Sequence, residues 1–491
     1  MALNLDGIYG AFIDNRFVIR PGAETFSATD PATGAHLAKL VRGTAVDVDD
    51  AVAAARKAFP EWAATSVEQR SQMLGRLADF LESDCDYHAR IDSYDIGRRL
   101  YETTYDQIVA IGQYRYFAAA ILTFEGLSRP LPGDGIFLTR HEPLGVCALV
   151  IPWNVPAIMV ASKIAPALAA GNTVVLKPDE NASLSTMELA KKIATIFPPG
   201  VVNIVPGYGP EVGQTLINHP GVNKLSFTGS TEVGRLVAHA GAEALLPVTL
   251  ELGGKSPNIV FPDIDDIDAV VDNAAFAGMY CNGQSCLAGT RLFLHADIYD
   301  EFINRLVDRL AAARIGGAFE ENVTLTCLVS EKQGRRVSNY IQRGLDEGAK
   351  LLHGGKRRAV AGNDAGWFIE PTLFEATNAM SVAREEIFGP VLSVIKWNDY
   401  ETMIAQANDS EYGLASGLYT GNLNNALKTA RRLEAGSVWV NQYFNLGNGT
   451  PFGGYKNSGL GREFSHETLK HFTQVKSLAV AGVVPPPFYI G

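Results

Sequence analysis

The chain has little of what marks several large classes of protein. Cysteine is scarce: Cys85, Cys147, Cys281, Cys286 and Cys327 are the five in 491 residues. Their positions form neither a metal-ligand spacing nor an even disulfide set, so no metal is expected and a reduced, cytoplasmic setting is. Basic blocks are missing, with 42 Lys and Arg against 53 Asp and Glu and a net charge of −11. Phosphate backbones need clustered cations, so no nucleic-acid partner is expected. Long apolar runs are missing too. The most apolar stretch, 144–171, is broken by Pro152, Asn154, Pro156, Lys163 and Pro166, well short of the roughly 18 uncharged residues of a membrane span. Residues 1–20 carry Asp6 and Asp14 and no apolar core of signal length, so no membrane partner is expected either. No repeat or low-complexity tract is present. What remains, 47% hydrophobic and 19% charged, is the composition of a globular enzyme large enough for two or three domains.

The pattern along the chain is α/β. Residues 46–123 read as helices, with apolar residues at helical spacing over 48–59 and 67–81. The Pro- and Gly-containing stretch 128–143 reads as a hairpin standing apart from the core. From 144 to 261, short apolar runs (147–151, 173–176, 201–205, 225–227, 248–250) alternate with helix-length segments such as 183–197 and 231–240. Strands apolar on both faces belong to a covered parallel sheet, which predicts a doubly wound, dinucleotide-binding type of domain. A second α/β rhythm spans about 265–442, with strands near 291–294, 391–396 and 437–441. Pro485-Pro486-Pro487 predicts a stiff tail.

Several segments carry chemistry, each with a plainer alternative. Gly207-Tyr208-Gly209 with Gly213 follows a strand and opens a helix, but it is one residue longer than the usual dinucleotide fingerprint. Phe227-Thr228-Gly229-Ser230-Thr231 is better placed: its helix N-terminus suits a pyrophosphate, and Ser230 equally suits an N-cap. Lys177-Pro178-Asp179-Glu180 ends a strand where such sheets bind ligands, and an acidic side chain there accepts from ribose hydroxyls and repels a 2′-phosphate. A charged strand end is also often just a solvated loop. Cys286 is a buried inert thiol or a nucleophile, and the polar loop Gly283-Gln284-Ser285 weakens the first reading. Glu251 ends an apolar strand before Gly253-Gly254; it is a salt-bridged strand end or, desolvated, a general base. Asn154 is a turn residue bonding its own backbone or an amide donor to an oxyanion.

Taken together, these segments resemble the aldehyde dehydrogenase superfamily. The resemblance runs from Ala28-Thr29-Asp30-Pro31 to Gly459-Leu460-Gly461-Arg462-Glu463. It passes through Pro152-Trp153-Asn154, Lys177-Pro178, Phe227-Thr228-Gly229-Ser230-Thr231, Glu251-Leu252-Gly253-Gly254-Lys255, Gly283-Gln284-Ser285-Cys286, Glu386-Ile387-Phe388-Gly389-Pro390 and Pro451-Phe452-Gly453-Gly454.

The resemblance implies a Rossmann-like NAD-binding domain (1–123 and 144–255), an α/β catalytic domain (256–467) and a small β oligomerisation element (124–143 and 468–491), in a homodimer or homotetramer. It implies that Cys286 is the nucleophile and Glu251 activates the hydrolytic water. Asn154 and the Cys286 backbone N–H would form the oxyanion hole, and Lys163 with Glu463 would support the base. NAD, with NADP as the lesser possibility, would have its adenosine ribose on Lys177 and Glu180. Trp153, Gly229 and Ser230 would line its pyrophosphate path, and Pro152 would be a further cofactor-binding residue. Gly209, Gly213, Phe227 and Leu252 would complete the cofactor cleft, and Glu386 and Phe388 would position the nicotinamide half.

By the same resemblance Val155, Met159, Ser162, Ser285, Leu287, Phe444, Leu446 and Phe452 would line an uncharged substrate tunnel. Such a tunnel suits a medium or bulky apolar aldehyde, whether aromatic, terpenoid or aliphatic. A CoA-acylating dehydrogenase, a cysteine-dependent esterase and a non-catalytic protein on the same fold remain alternatives.

Overall fold

The computed structural model describes residues 3, 5, 7–132 and 134–482. The Pro485–Pro487 segment lies outside them.

The helical N-terminal region consists of α1 (Ala45–Ala63), α2 (Val67–Ser83), α3 (Cys85–Ile96) and α4 (Leu100–Ala120). Local chemistry sets its boundaries. Thr44 with Asp47 and Ser66 with Gln69 form capping boxes at the starts of α1 and α2. Gly97, at φ 72°, ends α3 in the left-handed region that favours glycine.

An eight-stranded sheet follows. Its parallel centre comprises β1 (Val146–Val150), β2 (Thr173–Lys177), β3 (Val202–Ile204), β4 (Lys224–Thr228) and β5 (Val248–Glu251). The spatial order is β5-β4-β1-β2-β3, extended beyond β3 by the ribbon Ala11–Ile13 and Arg16–Val18. Alternate residues of β1 enter opposite cores. Cys147 and Leu149 face one, with helix α5 (Pro156–Ala169); Val146 and Ala148 face the other, with α1. Burial on both sides is why these strands are short continuous apolar runs rather than alternating ones. Strand order reverses at β1, between β4 and β2, and that switch point is where open α/β sheets bind ligands.

A seven-stranded sheet holds β6 (Pro257–Val260), β7 (Arg291–His295), β8 (Thr372–Glu375), β9 (Val391–Trp397), β10 (Ala415–Tyr419) and β11 (Ser437–Val440). Its order is β8-β9-β7-β6-β10-β11, with the strand Lys350–His353 antiparallel at the β8 edge. Afterwards the chain returns to the first sheet: β12 (Gly459–Leu460) pairs antiparallel with β5, Gly459 opposite Glu251. The hairpin Ser128–Leu131 and Gly135–Pro143 takes β13 (Thr473–Val480) as its third strand.

The glycine segment 207–213 follows β3. It forms a single π-type turn, Gly209–Gly213, before the short helix Gln214–Ile217. A Cβ on Gly209 or Gly213 would meet nothing, whereas Gly207 (φ 148°) is required, because its Cβ would lie 2.6 Å from Val212 Cγ2.

Candidate active site

Strand register brings the sequence-predicted residues to one edge of the first sheet. Lys177 is level with Val150, Val150 with Phe227, and Thr228 with Glu251. The segments 151–154, 177–180, 228–230 and Glu251 therefore leave the sheet together at its carboxyl ends. From Glu251 the loop 252–256 crosses directly to β6, and Cys286 stands in the loop that leads into the neighbouring strand β7.

Two glycines permit this crossing. A Cβ on Gly254 would sit 2.2 Å from the Cys286 carbonyl oxygen, and one on Gly253 would sit 2.5 Å from Glu386 Oε2. Gly254 N–H also donates to Glu386 Oε1 at 3.0 Å. Gly254→Ala must therefore push the Cys286 loop away. It is expected to cost about 1–3 kcal/mol of stability as overpacking and to lower turnover; a melting scan showing no loss would contradict this.

The Cys286 loop is strained and tightly anchored. Cys281, Asn282 and Gly283 lie at φ 55°, 55° and 68°, three consecutive left-handed residues. The Asn282 amide holds them by donating to Thr326 Oγ1 (2.9 Å) and the Cys327 carbonyl (3.0 Å) and accepting from Thr326 N–H (2.9 Å). Gln284 accepts from Val329 N–H at 3.1 Å, and its own carbonyl takes Asn154 Nδ2 at 3.0 Å. That bond fixes the amide and leaves its second N–H available to an oxyanion. Gln284 has no such role in the sequence reading, because only the fold shows that its backbone meets Asn154.

Cys286 is partly exposed. Its packed surroundings push the thiol above its ordinary range, and the charges of Glu386 and Glu251 push it further; the backbone N–H groups of Cys286 and Leu287 oppose this and favour the thiolate. Glu251 is 4% exposed, and neither carboxylate oxygen has a hydrogen-bond partner among the described residues. Burial chiefly, then the Glu463 carboxylate, pushes it well above the usual carboxylate range, while Lys163 and Arg462 pull the other way. Lys163, fully buried, bonds Glu463 Oε1 at 2.6 Å and Ser226 Oγ at 3.1 Å.

A buried charge cluster underlies the site. Arg98 pairs with Asp106 and donates to the Asn154 carbonyl at 3.0 Å. Tyr280 OH donates to Asp106 at 3.4 Å, and Glu102 accepts from Cys281 N–H at 3.4 Å. Arg98, Glu102 and Asp106 recur at four-residue spacing, a charged stripe that turns inward while Tyr101, Tyr105 and Ile108 are exposed.

Around the cleft, Lys177 donates to Glu180 at 3.3 Å. Ser230 caps α6 (Thr231–Ala244), accepting from Val233 N–H at 3.3 Å. Pro152 continues β1, and Trp153 meets the Phe388 ring edge-on at 5.3 Å. Phe388 has φ 61° and its carbonyl accepts from Gln333 at 2.7 Å. Leu252 and Phe227 pack in the core on the α1 side of the sheet.

The apolar residues divide. Leu287, Phe444, Leu446 and Phe452 cluster with Cys286 itself, joined by Val109, Ile158, Trp439, Tyr443 and Phe464. Val155 and Met159 belong to the adjoining core under β1. Ser162 is fully buried, its hydroxyl donating to the Met159 carbonyl at 3.2 Å. Ser285 Oγ accepts from Leu287 N–H at 3.3 Å.

Burial also sets a pH dependence of stability. Asp92 and Asp95 are pushed up to about 7 and about 8, and Glu386 to about 7, chiefly by burial. Held neutral in the fold, they confer stability that is complete below the unfolded carboxyl pKa of about 4 and lost as pH rises through 7–8. His88, lowered to about 4 by burial, acts oppositely between about 4 and 6.5, joined by His141 and His471, which burial also lowers. The melting temperature is therefore expected to fall from about pH 5 to about pH 7; a rise over that interval would contradict the assignment.

Among the described residues no helix is long and apolar enough to cross a membrane, and no group of three or more His, Cys, Asp or Glu side chains could hold a metal. Residues 18–478 match the aldehyde dehydrogenase family model, and the chain belongs to that family. It is 44% identical over 477 residues to an aldehyde dehydrogenase of Enchytraeus buchholzi, covering 96% of this chain and 95% of that one. Among solved structures it is similar to an NAD+ complex of an aldehyde dehydrogenase from Bacillus cereus, at 40% identity, TM-score 0.94 and 98% coverage of each chain. It is also similar to an NAD-dependent aldehyde dehydrogenase from Sinorhizobium meliloti, at 35% identity and TM-score 0.96, covering 99% of this chain and 97% of that one.

Proposed function

We propose that this protein oxidises an apolar aldehyde to its carboxylic acid with NAD and water, through a thioester on Cys286. The observation that carries the reading is the pairing of Cys286 and the oriented Asn154 amide with a buried, unpartnered Glu251 carboxylate.

The cleft fits a dinucleotide. Lys177, buried, uses one of its ammonium donors on Glu180, and Thr228 Oγ1 is buried with no partner among the described residues. Both groups stand at the switch-point edge beside the α6 N-terminus, where ribose hydroxyls and a pyrophosphate would satisfy them. Glu180 favours NAD over NADP because its carboxylate accepts from a 2′-hydroxyl and repels a 2′-phosphate. Glu386, Phe388 and Trp153 would hold the nicotinamide half. When bound, NAD supplies the ring that accepts hydride.

The chain's own residues do the rest. The Cys286 thiolate adds to the carbonyl carbon, and the second Asn154 N–H with the Cys286 backbone N–H stabilises the oxyanion. Collapse of that oxyanion expels hydride and leaves the thioester. Glu251 takes a proton from water, the hydroxide adds to the thioester, and Cys286 departs as the acid forms. Lys163 holds Glu463 beside Glu251, so that the base keeps a proton affinity suited to the task.

The apolar cluster around Cys286 suits an aromatic, terpenoid or mid-length aliphatic aldehyde. We also infer the three-part division into NAD-binding (1–123, 144–255), catalytic (256–467) and oligomerisation (124–143, 468–491) parts. The first two correspond to the two large sheets. The third is supported by the outlying strand β13, whose Val475 and Val480 are 61% and 55% exposed. An exposed apolar edge of this kind suits a homodimer or homotetramer in the cytoplasm.

Reduced-nicotinamide formation should be followed with NAD, and separately NADP, on benzaldehyde, a terpenoid aldehyde, a mid-length alkanal, succinic semialdehyde and betaine aldehyde. Fastest NAD turnover on the apolar members is expected. Preference for a charged aldehyde would sink the substrate reading, and dependence on CoA would sink hydrolysis.

A further inference from the structure

One face of α4 is devoted to a single loop. Val109, Gly112, Gln113 and Tyr116 lie at the i, i+3, i+4, i+7 spacing of one helix face; the last three meet Asn448 or Gly449, and Val109 packs against the same apolar cluster as Phe444 and Leu446. Gln113, fully buried, donates from Nε2 to Asn448 Oδ1 at 2.6 Å. Gly112 leaves the room for that bond, since a Cβ there would fall 2.0 Å from Asn448 Nδ2. A Cβ on Gly449 would lie 3.0 Å from the Tyr116 ring.

The segment so held is strained beside the apolar cluster against which Cys286 also packs. Phe444 has φ 60°, a left-handed backbone that a bulky aromatic residue rarely adopts. Such a conformation persists only when its surroundings over-determine it. On one side the rings of Phe276, Tyr280 and Tyr443, at 5.5, 5.1 and 5.0 Å, fix the Phe444 side chain. Beyond it, Trp439 Nε1 donates to the Asn445 carbonyl at 2.9 Å and Gly449 N–H to the Phe464 carbonyl at 2.8 Å. Between those two ties, the only attachment to α4 through side-chain hydrogen bonding among the described residues is the Gln113–Asn448 bond.

We propose that the Gln113–Asn448 clasp, admitted by the bare Cα of Gly112, sets the width of the aldehyde pocket by holding Phe444 and Leu446 over Cys286. Gly112 and Asn448 are thus specificity-determining positions that touch neither the reacting atoms nor the cofactor. The inference rests on the reading that the cluster around Cys286 receives the aldehyde. Releasing the clasp lets the loop relax outward, so bulky aldehydes gain relative to small ones.

The test compares wild type, Gly112→Ala, Asn448→Ala and the double variant, with NAD, on propanal and cinnamaldehyde. Gly112→Ala suits the helix itself and Asn448 is exposed, so both proteins should fold, with a melting temperature lowered somewhat because the buried Gln113 amide loses its partner. The ratio of kcat/KM for cinnamaldehyde over propanal is expected to rise about tenfold in each single variant, the scale of a small steric change in a pocket. The change should lie in KM rather than kcat. The double variant should show no more than either single one, because both act through the same bond. An unchanged or lowered ratio, or an equal loss of kcat on both aldehydes, would overturn the inference while leaving the dehydrogenase reading intact. If the wild type turned over no aldehyde with NAD, the functional reading itself would fail and the inference with it.

Discussion

Glu251→Gln is expected to release one burst of reduced nicotinamide per active site and then to turn over about 10²–10⁴-fold more slowly than wild type, the usual contribution of a general base. The burst survives because acylation needs the thiolate and the oxyanion donors, neither of which Gln removes. Indeed, the Glu251 charge is one of the groups pushing the Cys286 thiol up, so its loss favours the thiolate. Deacylation fails because Gln cannot take a proton from water. The raised proton affinity of Glu251 also fixes the sign of the wild-type pH profile. Hydrolysis needs the ionised form, so the deacylation rate should climb with pH beyond the ordinary carboxylate range and lose that limb in Glu251→Gln. Rapid-mixing absorbance resolves the two phases. Loss of the burst in this variant would show that Glu251 is needed before the thioester forms.

Asn154→Ala should lower the acylation rate by about 10²–10³-fold, the effect of removing one oxyanion-hole donor. The amide is pre-set rather than recruited: Gln284 fixes one of its N–H groups, and Arg98 holds the same residue's carbonyl from below. The Arg98 bond goes to backbone and survives in the alanine variant, whereas the tie to the Gln284 carbonyl is lost together with the donor. The burst phase itself should slow, the opposite of the Glu251→Gln pattern. A variant with an unchanged burst and slowed hydrolysis would reassign the amide to the second half-reaction.

The first sheet was legible because burial on both faces turns β1, β2, β4 and β5 into short apolar runs with turn residues between them, a pattern few other environments produce. Glu251 ends such a run, Asn154 follows one and Cys286 precedes one, which is why the sequence reading singled out these strand ends as places where the backbone leaves the core. The register of the sheet then accounts for their meeting. Other features depend on contacts between distant segments and leave no local trace. The carbonyl of Gln284 orients Asn154 across 130 residues. Lys163 and Glu463 are joined across 300. Gly459–Leu460 pairs with β5 although the strand is only two residues long. Ser162 sits on the right helix, but its burial and its bond to the Met159 carbonyl follow from packing that a spacing argument does not contain. Gly207, rather than Gly209 or Gly213, carries the steric requirement, because the segment winds as a π-type turn.

The central claim is that carbon–hydrogen oxidation takes place on a carbonyl covalently held by Cys286. The most direct test is the intact mass of Glu251→Gln after mixing with benzaldehyde and NAD, with Glu251→Gln carrying Cys286→Ala as the control. A stoichiometric mass gain of one benzoyl group, matched to the burst and absent from the control, is the predicted result. Reduced nicotinamide formed at an undiminished rate in the control, with no adduct in either protein, would contradict the covalent mechanism.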